Sequence, residues 1–230
     1  FELAGEVESV GTAVTRFKPG DEVFSFAGFR FGCHAEYRCL PENAVAIQDG
    51  FVELKPSNLS FEEAAAIPCG ALTALGFLRK ANVVGETKVL VYGASGSVGT
   101  YAVQLAKELG ADVTGVCGSS NLDMVRSIGA DDVIDYTVED FSARDQTYDV
   151  VFDAVGKTVR SQRKRALRPS GRFVSVSTSA ALHPEDLTYL KELAENGTIR
   201  PIIDRRYRLD EIVEAHRYVE NGHKRGNVVI

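Results

Sequence analysis

The stretch Lys88-Val-Leu-Val-Tyr-Gly-Ala-Ser-Gly-Ser-Val-Gly-Thr100 passes from a short apolar run, through three spaced glycines, into helical periodicity. Val89, Leu90 and Val91 read as a buried strand, and Gly93, Gly96 and Gly99 punctuate the turn that follows. Beyond it, Val98, Ala102, Leu105 and Leu109 recur at helical spacing. A glycine-rich turn between strand and helix directs backbone N–H groups and the positive end of the helix dipole at an anion. Ala94-x-Gly96-x-x-Gly99 is the dinucleotide fingerprint G-x-G-x-x-G with alanine at the first position. Gly96 would let the backbone approach a pyrophosphate, and Gly99 would let the helix pack closely on the strand. A second strand, Asp112-Val-Thr-Gly-Val-Cys117, completes a β-α-β unit. The complete unit favours a dinucleotide site over a tight turn that binds nothing.

The end of that second strand bears on which dinucleotide is bound. A unit selecting NAD(H) usually carries an Asp or Glu there to accept hydrogen bonds from the ribose 2′-hydroxyl. Here the chain reads Cys117-Gly118-Ser119-Ser120-Asn121, with no carboxylate before Asp123. Serine hydroxyls and backbone N–H groups can donate to a 2′-phosphate that a carboxylate would repel. The pattern predicts NADP(H), although the same residues also suit a helix cap before Leu122.

With 230 residues, 44% of them hydrophobic and 25% charged, the chain has the composition of a globular protein with a substantial core. A net charge of −6 gives no reason to expect a nucleic-acid partner or an acidic membrane surface. No apolar run approaches membrane-spanning length, and no signal-peptide pattern is visible. Cys33, Cys39, Cys69 and Cys117 show neither C-x-x-C spacing nor a neighbouring pair of histidines. Reduced thiols in a cytoplasmic enzyme, with a small molecule as partner, are the expectation.

Residues 1 to 55 read as all-β. Alternation marks residues 5–11, Lys18-Pro-Gly-Asp21 signals a turn, and residues 22–26, 35–40 and 44–47 are expected strands. Ser60-Phe-Glu-Glu63 is a capping-box sequence that opens a helix, which Pro68 and Gly70 are expected to interrupt before it resumes over 72–78. From residue 88 to 178 strands alternate with helices, the strands expected at 89–92, 113–116, 133–135, 150–153 and 173–177. This order implies a parallel sheet with helices on both faces. Helices over 187–195 and 209–219 and a closing strand over 226–230 complete the reading.

In order along the chain stand Gly-x-Val-x-x-Val-Gly (from Gly5 to Gly11), Phe17-Lys-Pro-Gly-Asp21-Glu-Val, Ala35-Glu-Tyr, Leu59-Ser-Phe-Glu-Glu-Ala-Ala65 and Leu72-Thr-Ala74. After the glycine turn come Leu109-Gly-Ala111, Ile128-Gly-Ala-Asp131, Val133-Ile-Asp-Tyr136 and Phe152-Asp-Ala-Val-Gly156. As an ordered set covering nearly the whole chain, they resemble the medium-chain dehydrogenase/reductases, in particular the zinc-independent quinone oxidoreductase-like enzymes. The resemblance implies an α/β protein: a Rossmann doubly wound parallel sheet plus a GroES-like β-rich catalytic domain, here N-terminally incomplete. It divides the chain into a partial GroES-like domain over 1–65, a Rossmann NADP-binding domain over 66–195, and a C-terminal segment over 196–230 that returns to the catalytic domain. The active cleft would lie between the domains.

The resemblance also implies site residues. Thr73 and Val155 would line the cofactor, with the turn Ala94, Ser95, Gly96, Ser97, Val98 and Gly99 around its pyrophosphate. Ser119, Ser120, Asn121 and Tyr136 would stand near the 2′-phosphate, although many relatives carry a lysine where this chain has Asn121. Cys69 aligns with one zinc ligand of zinc alcohol dehydrogenases, while Phe1 stands where a second, a histidine, is expected. A catalytic zinc needs three protein ligands, so Cys69 is read as a packing residue and no metal is expected.

Two departures stand out. The opening part of the family pattern, which contributes to the substrate pocket, does not precede Phe1 and is expected upstream. Residues 175–184 pass almost directly from strand to helix where relatives insert a longer segment, including the strand through which many dimerise. That junction is read as ordered pieces joined across absent loops rather than as a true deletion, and a homodimer stays open.

The reaction expected is hydride transfer from NADPH to an enone or quinone, with no acid assigned. His34, His183, His216 and His223 are read as isolated packing or surface residues. A thioester-linked enoyl reductase would share most of these motifs. A non-catalytic NADPH-binding redox sensor or interaction protein would share the glycine turn.

Overall fold

The computed structural model describes residues 1–29, 31–43 and 47–230. They form two compact units, Phe1–Leu72 with Leu182–Ile230, and Thr73–Ala181.

The first unit opens with an antiparallel sheet of β1 (Glu2–Glu6), β2 (Glu22–Phe26) and β3 (Phe51–Leu54), in that order. Glu2 stands opposite Phe26, and Phe26 opposite Phe51. Phe24, Phe26 and Phe51 are buried and give this sheet its apolar face. The Lys18–Asp21 turn forms as expected, the Asp21 carboxylate accepting the Lys18 N–H at 2.9 Å. Residues 35–40, expected as a strand, adopt none: they are almost all solvent-exposed, so their alternation has no core to satisfy. Of the strand expected at 44–47, Ala44, Val45 and Ala46 lie outside the described residues, and Ile47 opens a single 3₁₀ turn, Ile47–Asp49.

Helix α1 (Phe61–Ala65) starts at the capping box: Ser60 Oγ accepts the Glu63 N–H at 3.2 Å, and the Glu63 carboxylate accepts the Ser60 N–H at 2.9 Å. The interruption expected at Pro68 and Gly70 falls just before Pro68, where α1 ends at Ala65, and Gly70 does not break the helix that follows. Helix α2 runs unbroken over Pro68–Lys80, because Pro68 occupies its first position, where no N–H is needed.

The second unit is a five-stranded parallel sheet. Its elements are β4 (Lys88–Tyr92), α3 (Ser97–Glu108), β5 (Asp112–Cys117), α4 (Leu122–Ser127), β6 (Asp132–Asp135), β7 (Tyr148–Asp153), α5 (Arg160–Ala166) and β8 (Leu167–Ser175). The strands lie in the order β6-β5-β4-β7-β8, all neighbours parallel. This is the Rossmann-type sheet the strand–helix alternation predicts. Val89, Leu90 and Val91 are all fully buried, as a strand covered on both faces must be. Leu90, Val116, Ile134, Phe141, Tyr148, Val151 and Ala166 form one packed cluster. The last strand ends at Ser175, short of the expected 177, since the Thr178 N–H turns back to the Ser175 carbonyl at 3.0 Å.

The rest of the first unit comprises α6 (Pro184–Glu195), β9 (Ile203–Arg206), α7 (Ile212–Glu220) and β10 (Asn227–Val229), with β9 and β10 parallel. The chain therefore divides at 72/73 and 181/182, where the motifs place divisions at 65/66 and 195/196. Helix α6 joins the first unit through specific bonds: Thr188 Oγ1 donates to Glu53 on β3 at 3.0 Å, and Asn58 Nδ2 donates to the Ala194 carbonyl at 3.0 Å. Among the described residues no helix is long and apolar enough to cross a membrane.

Candidate functional site

Parallel strands end together, and the residues that follow them share one edge of the sheet. In register, Tyr92 of β4 pairs with Val116 of β5 and Asp153 of β7, and Cys117 with Asp135 of β6. The glycine turn, the serine turn and the loops after β6 and β7 therefore emerge side by side.

The glycine turn is built differently from the fingerprint alignment. Gly93, outside the Ala94-x-Gly96-x-x-Gly99 pattern, makes the tight turn with a φ of +82°. Ala94 is fully buried, and its methyl packs towards Gly115 of β5. A Cβ on Gly99 would stand 2.0 Å from the Gly93 carbonyl oxygen, so only glycine brings α3 this close to the turn. Gly96 is the N-cap of α3 and supplies no side-chain acceptor to the first-turn amides. Ser97, Val98 and Gly99 thus form the first turn of a helix uncapped by any Gly96 side chain, with Ser95 and Ser97 half-buried.

The serine turn lies beside the loop after β6. Ser119 and Ser120 are exposed, and the Tyr136 ring lies across Gly118, its hydroxyl 3.5 Å from where a Cβ would be. The Tyr136 N–H donates to the Cys117 carbonyl at 3.1 Å, tying the two strand ends together. Asn121 is buried, its side-chain oxygen enclosed without a hydrogen-bond partner among the described residues. Burial and then Asp135 push the Cys117 thiol up to about 11, which leaves it unreactive at neutral pH.

The loop after β7 is held by the last residue of that strand, to which the motifs assign no role. Asp153 is 1% exposed and accepts from the N–H groups of Val155 at 3.1 Å, Gly156 at 2.7 Å and Thr158 at 2.8 Å, and from the Thr158 hydroxyl at 2.6 Å. Burial pushes its carboxyl pKa up, but these donors outweigh burial and hold it below the usual range. This arrangement sets Val155 against Gly93, one of its methyl carbons 2.2 Å from where a Cβ on that glycine would stand. The sequence signal is an aspartate two residues before a short Gly/Thr loop, as in an Asx-turn. Thr73 is half-buried on α2.

In the first unit, a cleft of about 1330 Å³ is lined by residues including Glu2, Phe31, His34, Tyr37, Cys69 and His216. His34 and His216, expected to be isolated, are paired edge to face at 5.8 Å, because the fold brings α7 to the loop that carries His34. Burial, and then His216, lower the His34 pKa. The Glu2 carboxylate accepts the Cys69 N–H at 2.7 Å, and burial pushes its pKa up to about 7. Burial and then Glu2 push the Cys69 thiol up to about 12.

A family model described as zinc-binding dehydrogenase matches residues 97–214, and one described as alcohol dehydrogenase GroES-like domain matches residues 1–49. A chloroplastic quinone oxidoreductase of Triphysaria versicolor is 32% identical over 263 residues, which cover all of this chain and 78% of that protein. The chain belongs to the medium-chain dehydrogenase/reductase superfamily, in its quinone oxidoreductase-like subgroup. A 2-methylene-furan-3-one reductase of Solanum lycopersicum is 36% identical, and an NADPH-dependent alkenal/one oxidoreductase of Arabidopsis thaliana 32%, each over 253 residues and the whole of this chain. The chain spans 62% of the length of each of these two relatives. The solved quinone oxidoreductase of Coxiella burnetii superposes with a TM-score of 0.82 at 29% identity, covering 99% of this chain and 77% of that one. The N-terminal part of the first unit is accordingly GroES-like, and the second unit Rossmann-like.

Zinc is named in one of the matching descriptions. Among the described residues no three His, Cys, Asp or Glu side chains are grouped to hold a metal ion. Cys69 is a half-buried thiol beside the Glu2 carboxylate, which accepts the Cys69 N–H.

Proposed function

We propose that the protein is an NADPH-dependent oxidoreductase that delivers hydride, without a metal, to a quinone or to a carbon–carbon double bond conjugated to a carbonyl. The observation that carries this reading is the contact of Gly99 against Gly93 at the edge of a parallel sheet. It leaves a close, uncapped helix start at the position where a pyrophosphate binds in this fold. The names of the relatives, a quinone oxidoreductase and an alkenal/one oxidoreductase among them, support the substrate class.

The bound nicotinamide would supply the hydride, and the protein's part is binding and orientation. Gly93, Ala94, Ser95, Gly96, Ser97, Val98 and Gly99 would hold the pyrophosphate. Val155, placed by Asp153, and Thr73 would line the nicotinamide end. Ser119, Ser120, Asn121 and Tyr136 would surround the adenosine ribose. NADP(H) as the cofactor rests on the absence of a carboxylate at the end of β5. Four free cysteines support a reducing compartment, for which we take the cytoplasm.

The test is titration of the full-length protein with NADPH and NADH by fluorescence, followed by cofactor consumption against a panel of quinones and enones. Saturable NADPH binding with turnover of at least one panel member is expected. Failure to bind either cofactor overturns the reading, and binding without consumption favours a redox sensor.

A further inference from the structure

In the sequence the serine turn presents a set of donors for a 2′-phosphate, but its hydrogen bonds run the other way. Asp135, the last residue of β6, accepts the Thr137 N–H at 2.9 Å and the Thr137 hydroxyl at 2.7 Å on the same oxygen. The Ser119 and Thr137 hydroxyl oxygens stand 2.9 Å apart. A carboxylate has no proton to give, so the Thr137 proton points at Asp135 and the Ser119 proton must point inward along the same chain. The Ser119 hydroxyl, followed by the Thr137 hydroxyl and N–H, holds the Asp135 carboxyl below its usual range, so it is charged at neutral pH. Outward, Ser119 therefore offers lone pairs only. Among the described residues no lysine or arginine is hydrogen-bonded to Ser119, Ser120, Tyr136 or Thr137 to offset that charge.

We infer that Asp135 determines cofactor selectivity: through Thr137 it fixes Ser119 as an acceptor suited to a free ribose 2′-hydroxyl, and so opposes the phosphorylated cofactor. The inference rests on the proposed nicotinamide site. The carboxylate missing from the end of β5 is in effect supplied one strand over, relayed through two hydroxyls. The preference for NADPH over NADH is then smaller than the missing β5 carboxylate alone would give.

The experiment is direct titration of the full-length protein and two variants with NADPH and NADH, reading dissociation constants rather than turnover. Asp135→Asn keeps an oxygen for the Thr137 donors and removes the charge. It is expected to tighten NADPH about tenfold and to leave NADH within about twofold, with the gain shrinking at high salt, as the effect of a solvent-accessible charge must. Ser119→Ala removes the outward acceptor, and it is expected to weaken NADH several-fold while leaving NADPH no weaker. Weaker NADPH binding in Ser119→Ala would show that serine donates to the phosphate and would overturn the inference. So would equal shifts for both cofactors in Asp135→Asn, or none. If the unaltered protein binds neither cofactor, the proposed function falls first and the inference with it. Ser119 is exposed and its variant does not depend on any buried contact, so the comparison survives even if Asp135→Asn folds poorly.

Discussion

Gly99 and Asp153 act through single atoms. At Gly99 the nearest neighbour is backbone, the Gly93 carbonyl oxygen, which cannot move aside as a flexible side chain would. Gly99→Ala is therefore expected to cost about 1–3 kcal/mol of stability by overpacking. By opening the turn it should also weaken NADPH binding about tenfold or more, read by urea unfolding and fluorescence titration. At Asp153, one buried carboxylate satisfies three backbone N–H groups and a hydroxyl. Asp153→Ala leaves those donors unpaired and is expected to cost about 3 kcal/mol. Faster amide exchange confined to residues 155–158 would mark the loss as local to that loop. An unchanged exchange rate there would show that something else holds the loop.

At the scale of elements, legibility followed the surroundings of each segment. β4 and β5 were readable because a strand buried on both faces is a short continuous apolar run, which few other structures explain. α1 was readable because the capping box is a local device and needs nothing from the rest of the chain. β3 and β9 escaped notice: Phe-Val-Glu-Leu and Ile-Asp-Arg-Arg carry too little alternation, and partner strands make them strands. α5, Arg-Ser-Gln-Arg-Lys-Arg-Ala, has one buried residue and no apolar stripe. Residues 35–40 failed the opposite way, with a strand-like pattern in a stretch that is almost all solvent-exposed. Gly93 shows the same limit within a motif, since the fingerprint counts glycines but not which of them takes the positive φ.

For the molecule as a whole, the main pH-sensitive features lie in different units. Glu2, raised by burial to about 7 in the folded protein against 4.5 when free, binds its proton more tightly folded than unfolded. Its contribution is fully present below about pH 4.5 and is lost as pH rises towards 7, because the folded state holds the extra proton across that window. Asp153 has the opposite sign: lowered in the fold, its contribution is present at neutral pH and lost as acid protonates it. The urea midpoint is expected to fall between pH 5 and pH 7.5, and Glu2→Gln to flatten that slope. An unchanged slope in the variant would remove Glu2 as the cause. Family, sheet type, the strands and helices of the β-α-β units and the position of the glycine turn were determined by the sequence itself, because each rests on local periodicity, capping or chain order. Which glycine makes the turn, what Asp153 holds, the pairing of His34 with His216 and the direction of the Ser119 proton were decided only by the tertiary structure. Each of these depends on atoms from segments far apart in the chain, and hydrogen bonding and packing act on distance in space rather than along the sequence.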